Sequence, residues 1–144
     1  MFSKRTRLNT NFNLINFFQV IKSLFVKNKS FEKKIKLYLN TENVSLTSQG
    51  RTALYEIVKI IIENTNKKTF FVAPYTIPAV IHAITYAGAE VVFVDIDKNT
   101  GLINENKLEE KIDNNSAAVV ITHLYSNEDN IKKFIKKFEK KINY

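Results

Sequence analysis

The chain has no cysteine, which excludes disulfides, thiolate-bound zinc and thiol catalysis. Histidine is almost as scarce. His82 and His123 are too few and too far apart in sequence to suggest a metal centre, so no metal is expected. Arginine is scarce too: Arg5, Arg7 and Arg51 stand against 19 lysines. A net charge of +8 invites an acidic partner such as nucleic acid. The usual reader of phosphates and bases, however, is the planar fork of arginine. Lysine accompanied by 17 asparagines and 17 isoleucines matches the drift of an AT-rich genome better than selection for a binding surface. A basic nucleic-acid binder is therefore a subordinate reading, and no nucleic acid is expected. Only three glycines are present, and neither G-x-G-x-x-G nor a Walker A loop occurs, so dinucleotide and P-loop readings lose their support.

Long apolar runs are also missing. Lys4, Arg5 and Arg7 precede an apolar stretch from Phe12 to Phe25, but Asn13, Asn16, Gln19, Lys22 and Ser23 interrupt it. That is not a signal peptide, and it is short of the ~20 mostly apolar residues that span a bilayer. The expectation is a cytoplasmic protein with no stable membrane span.

The 144 residues are 44% hydrophobic and 25% charged, ordinary values for a globular chain with one sizeable core. Leu14, Phe17, Phe18, Ile21, Leu24 and Phe25 recur at helical spacing and predict an amphipathic helix over 12–26 with an unusually aromatic face. Ser30 is placed to cap a second helix that Asn40 ends. Val44–Thr47 reads as a short strand. Beyond Gly50 the pattern alternates. A helix over Thr52–Glu63 precedes a strand over Thr69–Ala73. A helix opened by Pro78 closes at Gly88. A strand over Glu90–Val94, a short helix over Asn104–Ile112, a strand over Ala117–Ile121 and a helix over Asn127–Ile142 follow. Strands alternating with helices predict an α/β fold with a parallel sheet covered on both faces. In the last helix, Lys132, Lys133, Lys136, Lys137, Lys140 and Lys141 read as the solvated side opposite Ile131, Phe134, Ile135, Phe138 and Ile142.

Ligands of open α/β sheets sit at the carboxyl ends of the strands. Four groups lie there: Ser48-Gln49-Gly50-Arg51-Thr52, Pro74-Tyr75-Thr76-Ile77, Asp95-Ile96-Asp97 and Thr122-His123-Leu124-Tyr125. In the first, a strand runs through a glycine into a helix. The free N–H groups of such a first turn, aided by the helix dipole, make an anion site; a plain turn is the competing reading.

Taken together, V-S-L-T-S-Q-G-R-T-A-L, F-V-A-P-Y-T-I-P-A-V-I-H-A-I, Y-A-G-A-E-V-V-F-V-D-I-D and V-V-I-T-H-L-Y-S resemble the DegT/DnrJ/StrS-type nucleotide-sugar aminotransferases, which have the type I fold of pyridoxal-phosphate enzymes. The resemblance runs from about Phe31 to the C-terminus. It implies an incomplete N-terminal part of a mostly parallel, three-layer large domain over 30–144, preceded by an arm with the amphipathic helix over 1–29. It implies pyridoxal phosphate as cofactor, with Gly50, Arg51 and Thr52 as the phosphate cup and Ile77 where the family usually stacks an aromatic on the ring. An aliphatic residue there covers a ring face without stacking on it. His123 and Tyr125 would lie on the active-site rim, Ser126 replaces a usual glycine, and Asp95 and Asp97 would be structural.

The resemblance further implies a nucleotide-sugar substrate, an amino-acid donor and a homodimer in the intact family. Transamination needs a Schiff-base lysine and an acid at the pyridine nitrogen. In the family both come after the helix that ends this chain, so no catalytic residue is assigned and the chain is expected to be inactive alone. The family sheet inserts its later strands between the first strand and the others. Val44–Thr47 is therefore expected to lack its neighbour, and Ala117–Ile121 to border an open edge. A non-catalytic interaction module built on the aromatic N-terminal helix is the alternative from another functional class.

Overall fold

The computed structural model describes residues 14–25, 29–122 and 128–142. The chain divides into two compact units, Met1–Leu46 and Thr47–Tyr144.

The first unit contains α1 (Leu14–Phe25) and α2 (Lys29–Leu39). The expected start of α1 at Phe12 lies outside the described residues. Helix α2 begins at Lys29, so Ser30 stands inside the helix, not at its cap as expected. Its end agrees with the sequence. Asn40 takes φ 49, and the N–H of Thr41 returns to the Lys36 carbonyl at 3.1 Å; asparagine enters the left-handed region more readily than most residues. The strand expected at Val44–Thr47 does not form. A strand exists only through ladder bonds to a neighbour, and among the described residues no neighbour pairs with this segment.

The second unit runs α3 (Gly50–Thr65), β1 (Thr69–Val72), α4 (Pro78–Tyr86), β2 (Glu90–Phe93), α5 (Glu105–Glu109), β3 (Ser116–Val120), α6 (Glu128–Phe138). The sheet has the order β2-β1-β3 and is parallel throughout, with Thr69 opposite Glu90 and Ser116. This is the α/β architecture expected. Strand β1 is central and wholly buried, and its alternating side chains divide the interior into two cores. Phe70 and Val72 pack with Val58 and Ile61 of α3, Ile84 of α4 and Ala117. Phe71 points to the other face, among Val94, Leu102, Ile103, Leu108, Phe134 and Phe138. Helices therefore cover both sheet faces in three layers. Each fully buried aliphatic or phenyl side chain contributes about 1.5–3 kcal/mol. Among the described residues β3 pairs only with β1, leaving an edge on its outer side.

Local chemistry sets the helix ends. Asn66, at φ 57, closes α3 by returning its N–H to the Ile62 carbonyl. Gly88, at φ 90, follows Ala87, the C-cap of α4, in a conformation that glycine adopts without the Cβ penalty. Helix α5 is shorter than the periodicity suggests; Asn104 caps it, its Oδ1 accepting from the Lys107 N–H at 3.1 Å. Two of the lysines expected on the solvated side, Lys137 in α6 and Lys141 just beyond it, are not simply solvated. Lys137 bonds Glu105 at 2.7 Å and Glu109 at 3.1 Å, and Lys141 bonds Glu109 at 2.9 Å. Hydrogen bonds from Lys141 and Lys137 hold the Glu109 carboxyl below its ordinary range, and Glu105 foremost raises Lys137. The pairs are exposed, so they align α5 with α6 and add little stability.

Candidate functional site

Helix α3 begins without a side-chain cap. Gln49 is extended, at φ −149 and ψ 147, and makes no capping bond. Its carbonyl fixes the turn, accepting from the N–H of Thr52 at 3.0 Å, the N–H of Ala53 at 3.2 Å and the Thr47 hydroxyl at 3.1 Å. The N–H groups of Gly50 and Arg51 are left without an acceptor among the described residues. Helix α4 begins in the same way. Ile77 is extended and does not cap by its side chain, Pro78 occupies the first turn, and the N–H of Val80 bonds the Ile77 carbonyl at 3.0 Å. Proline has no N–H to satisfy, so Ala79 holds the unclaimed donor of this turn.

These two helix starts meet. Gln49, Gly50, Arg51, Leu54, Ile77, Ala79 and Val80 line one cavity of about 400 Å³. Each helix brings roughly half a positive charge to its N-terminus, and the Arg51 side chain adds a full one. The cavity thus borders the first turns of two helices and Arg51, beside the apolar side chains of Ile77, Leu54 and Val80.

Of the four residues assigned from the sequence, Gly50, Arg51 and Ile77 come together here. Thr52 lines a neighbouring cavity of about 440 Å³ with Arg51, Tyr55, Ala79, His82, Ala83 and Tyr86. Arg51 and Ala79 border both. Gly50 does not take a positive φ; among the described glycines that occurs at Gly88 and Gly101. A Cβ at Gly50 would meet no heavy atom within 4 Å. Sequence reasoning placed Gln49 in the turn group without giving it a role, and missed Leu54 and Val80 in the first cavity and Tyr55, His82 and Tyr86 in the second. The signal that could have found them is helical spacing: Leu54 and Tyr55 follow Arg51 by three and four positions, and His82, Ala83 and Tyr86 follow Ala79 by three, four and seven.

The two aspartates are occupied elsewhere. The Asp97 carboxylate accepts from the N–H groups of Asn99 and Thr100, both at 2.9 Å, and from the Thr100 hydroxyl at 3.2 Å. These bonds, the Thr100 N–H foremost, depress its pKa. Asp95 accepts from Lys107, which likewise lowers it. Another cavity, about 450 Å³ and partly lined by Asp97, Asn104, Glu105 and Lys133, is thus bordered by a carboxylate already committed to its own turn. Thr76 is buried and shares a hydrogen bond of 3.3 Å with Thr122, joining the chain after β1 to the chain after β3. His123, Tyr125 and Ser126 lie outside the described residues. Among the described residues no group of histidines and carboxylates could hold a metal, and no helix is long and apolar enough to cross a membrane.

The DegT/DnrJ/EryC1/StrS aminotransferase family matches residues 16–142. A dTDP-4-amino-4,6-dideoxy-D-glucose transaminase of Shigella dysenteriae is 30% identical over 99 residues, which are 69% of this chain and 26% of that protein. A GDP-perosamine synthase of Escherichia coli O157:H7 is 29% identical over 97 residues, 67% of this chain and 26% of its own. The chain thus spans about a quarter of the length of these relatives. Among solved structures, a GDP-4-keto-6-deoxymannose-3-dehydratase with a trapped PLP-glutamate geminal diamine superposes with a TM-score of 0.65 at 20% identity, covering 89% of this chain and 36% of that one. At that identity the likeness is one of fold.

Proposed function

We propose that this chain, which belongs to the DegT/DnrJ/EryC1/StrS aminotransferase family, is the part of a pyridoxal-phosphate-dependent keto-sugar-nucleotide aminotransferase that grips the cofactor phosphate. The observation that carries the reading is the meeting of two uncapped helix N-termini at one cavity, with the N–H groups of Gly50, Arg51 and Ala79 unclaimed. The residues fit the group. A volume of about 400 Å³ is in the usual range for a small-molecule site. Unclaimed donors at helix starts suit a phosphate, and Gly50 carries no side chain to keep one away.

In this reading the three N–H groups and Arg51 bind and orient the phosphate. Ile77 covers one face of the ring by apolar contact. Thr52, on the neighbouring cavity, supports the Arg51 side of the cup. When bound, pyridoxal phosphate supplies an electron sink for moving an amino group. No lysine lines either cavity among the described residues. The reading therefore assigns these 144 residues the anchoring of the cofactor and takes the reactive lysine and the acid at the pyridine nitrogen from outside them. The nucleotide-sugar substrate, the amino-acid donor and a homodimeric assembly belong to the same proposal, as does the division into an arm over 1–29 and the large-domain part over 30–144.

The test is a phosphorus NMR titration of the chain with pyridoxal phosphate, inorganic phosphate and pyridoxal. The expected result is a shifted or broadened pyridoxal-phosphate resonance that inorganic phosphate reverses and phosphate-free pyridoxal does not. An unchanged resonance at millimolar protein, or reversal by pyridoxal alone, defeats the phosphate-cup reading.

A further inference from the structure

Strands β1 and β3 run side by side as far as Val72 opposite Val120. Past that rung the two chains are tied again. Thr76, four positions beyond Val72, meets Thr122, two positions beyond Val120, hydroxyl to hydroxyl at 3.3 Å. A turn absorbs the difference in length: the Thr76 N–H returns to the Ala73 carbonyl at 3.1 Å. Of Pro74, Tyr75, Thr76 and Ile77, only Thr76 is buried. A buried hydroxyl left without a partner costs more than a made bond returns, so burial and pairing go together here. The contact joins two strand ends within one unit and depends on no exposed surface.

The chain that follows Thr76 has little freedom. Ile77 precedes a proline, which disfavours the helical region for it, and it is extended at φ −75 and ψ 144. The ring of Pro78 locks its own φ. The N–H of Val80 then bonds the Ile77 carbonyl at 3.0 Å. The direction in which α4 leaves the sheet is therefore set by where Thr76 is held. Ile77, Ala79 and Val80 form the α4 side of the cavity that Gly50 and Arg51 share.

We propose that Thr76 and Thr122 are a positioning pair: their hydrogen bond pins the start of α4 to the end of β3 and so fixes Ile77 and Ala79 at the cofactor cavity. Neither threonine lines that cavity, so the effect passes through the backbone. The ligand part of this inference rests on the phosphate-cup reading; the anchoring of α4 does not.

The experiment combines amide hydrogen exchange by NMR with the pyridoxal-phosphate titration, on the intact chain and four variants. Thr76→Val and Thr122→Val keep a branched side chain and remove one hydroxyl each. The double variant removes both, and Thr76→Ser keeps the hydroxyl. Loss of one neutral hydrogen bond corresponds to about two- to tenfold in an equilibrium constant. Exchange of the Val80 N–H is expected to quicken by that factor in either valine variant. The double variant is expected to go no further, because both hydroxyls act through one contact. Thr76→Ser is expected to behave as the parent. The Val94 N–H, bonded to the Val72 carbonyl beside β1, is expected to keep its rate. Affinity for pyridoxal phosphate is expected to fall in step with the Val80 change.

Unaltered Val80 exchange in both valine variants overturns the proposal. So does equal acceleration at Val94, which would make the hydroxyls general supports of the fold, or a double variant showing the product of the two single effects. Quickened Val80 exchange with undiminished affinity overturns the positioning of the ligand and leaves the phosphate cup standing. Quickened exchange in a protein whose parent binds no pyridoxal phosphate defeats the phosphate cup and leaves the anchoring of α4 standing.

Discussion

Replacing Gly50 with alanine separates what the fold requires of this position from what a ligand requires. Gly50 is the first residue of α3. Its backbone is outside the left-handed region, and a Cβ there meets no heavy atom within 4 Å. The protein itself therefore gives no steric reason for glycine. Removing glycine from a compatible site restricts the unfolded chain and stabilises by about 0.4–1 kcal/mol. The new methyl, however, stands on a residue that lines the cavity proposed to take the phosphate. A charge-assisted bond to an anion is worth roughly 1.5–3 kcal/mol. Displacing the phosphate from one such donor thus weakens binding by about ten- to a hundredfold. Gly50→Val adds bulk and is expected to bind still more weakly. The assay pairs a urea melt with the phosphorus titration on the same samples. The expected outcome is a midpoint equal to or above that of the unaltered chain, together with lost affinity for pyridoxal phosphate. Unchanged affinity refutes the placement of the phosphate at Gly50. A lower midpoint refutes the claim that the fold tolerates a side chain there.

Three further outcomes follow from the same geometry. The chain alone, supplied with pyridoxal phosphate, an amino-acid donor and a keto-sugar nucleotide, is expected to transfer no amino group; turnover with borohydride trapping at one specific lysine would contradict this. Leu108→Ala removes a fully buried side chain from the core beneath α5 and α6 and is expected to cost about 2–5 kcal/mol in a urea melt, whereas Ile60→Ala on the 55% exposed side of α3 is expected to cost far less. Asp97 has a folded pKa below its ordinary value, so its contribution is present above the unfolded pKa and lost as pH falls through the folded one. Asp97→Asn should therefore reduce stability at pH 7, with the difference from the parent starting to shrink near the unfolded pKa of about 4 and disappearing only as pH falls through the lower folded pKa; a difference that does not shrink as pH falls below about 4 would show that the turn is held by something other than the carboxylate charge.

The elements with strong periodicity were legible in the sequence. The burial of Phe70, Phe71 and Val72, the alternation of helix and strand and the punctuation at Asn40, Pro78 and Gly88 all follow from side-chain spacing and backbone preference. What failed were features that a local window does not contain. Val44–Thr47 has the composition of a strand, but a strand needs a partner, and composition does not say whether one is present. Ser30 is a good capping residue in isolation, yet α2 begins before it. At the site, residue order placed Gly50 and Thr52 together because they are two apart. On a helix that is a rotation of about 200°, and it is enough to send Thr52 to the adjoining cavity. Conversely Ile77, far from Gly50 in sequence, joins it because both begin helices at the same end of the sheet. Helical spacing was available for Tyr55, His82 and Tyr86, but without the structure nothing marked that face as concave.

The central position of β1 sets an order of events during synthesis. Its first residue pairs with Glu90 on one side and Ser116 on the other, separations of 21 and 47 residues along the chain. The loop-closure cost grows by only about 0.6 kcal/mol per doubling of length, so the difference in entropy is small. On a ribosome, however, Ser116 emerges 26 residues after Glu90. At about 5–20 residues per second, β1 and β2 have more than a second to join before β3 exists. Through that interval the second edge of β1 is open and Phe71 has only part of its core around it. The nascent chain is then a half-covered ribbon, and its exposure to mispairing is governed by translation speed between Glu90 and Ser116 as well as by the stability of the finished sheet.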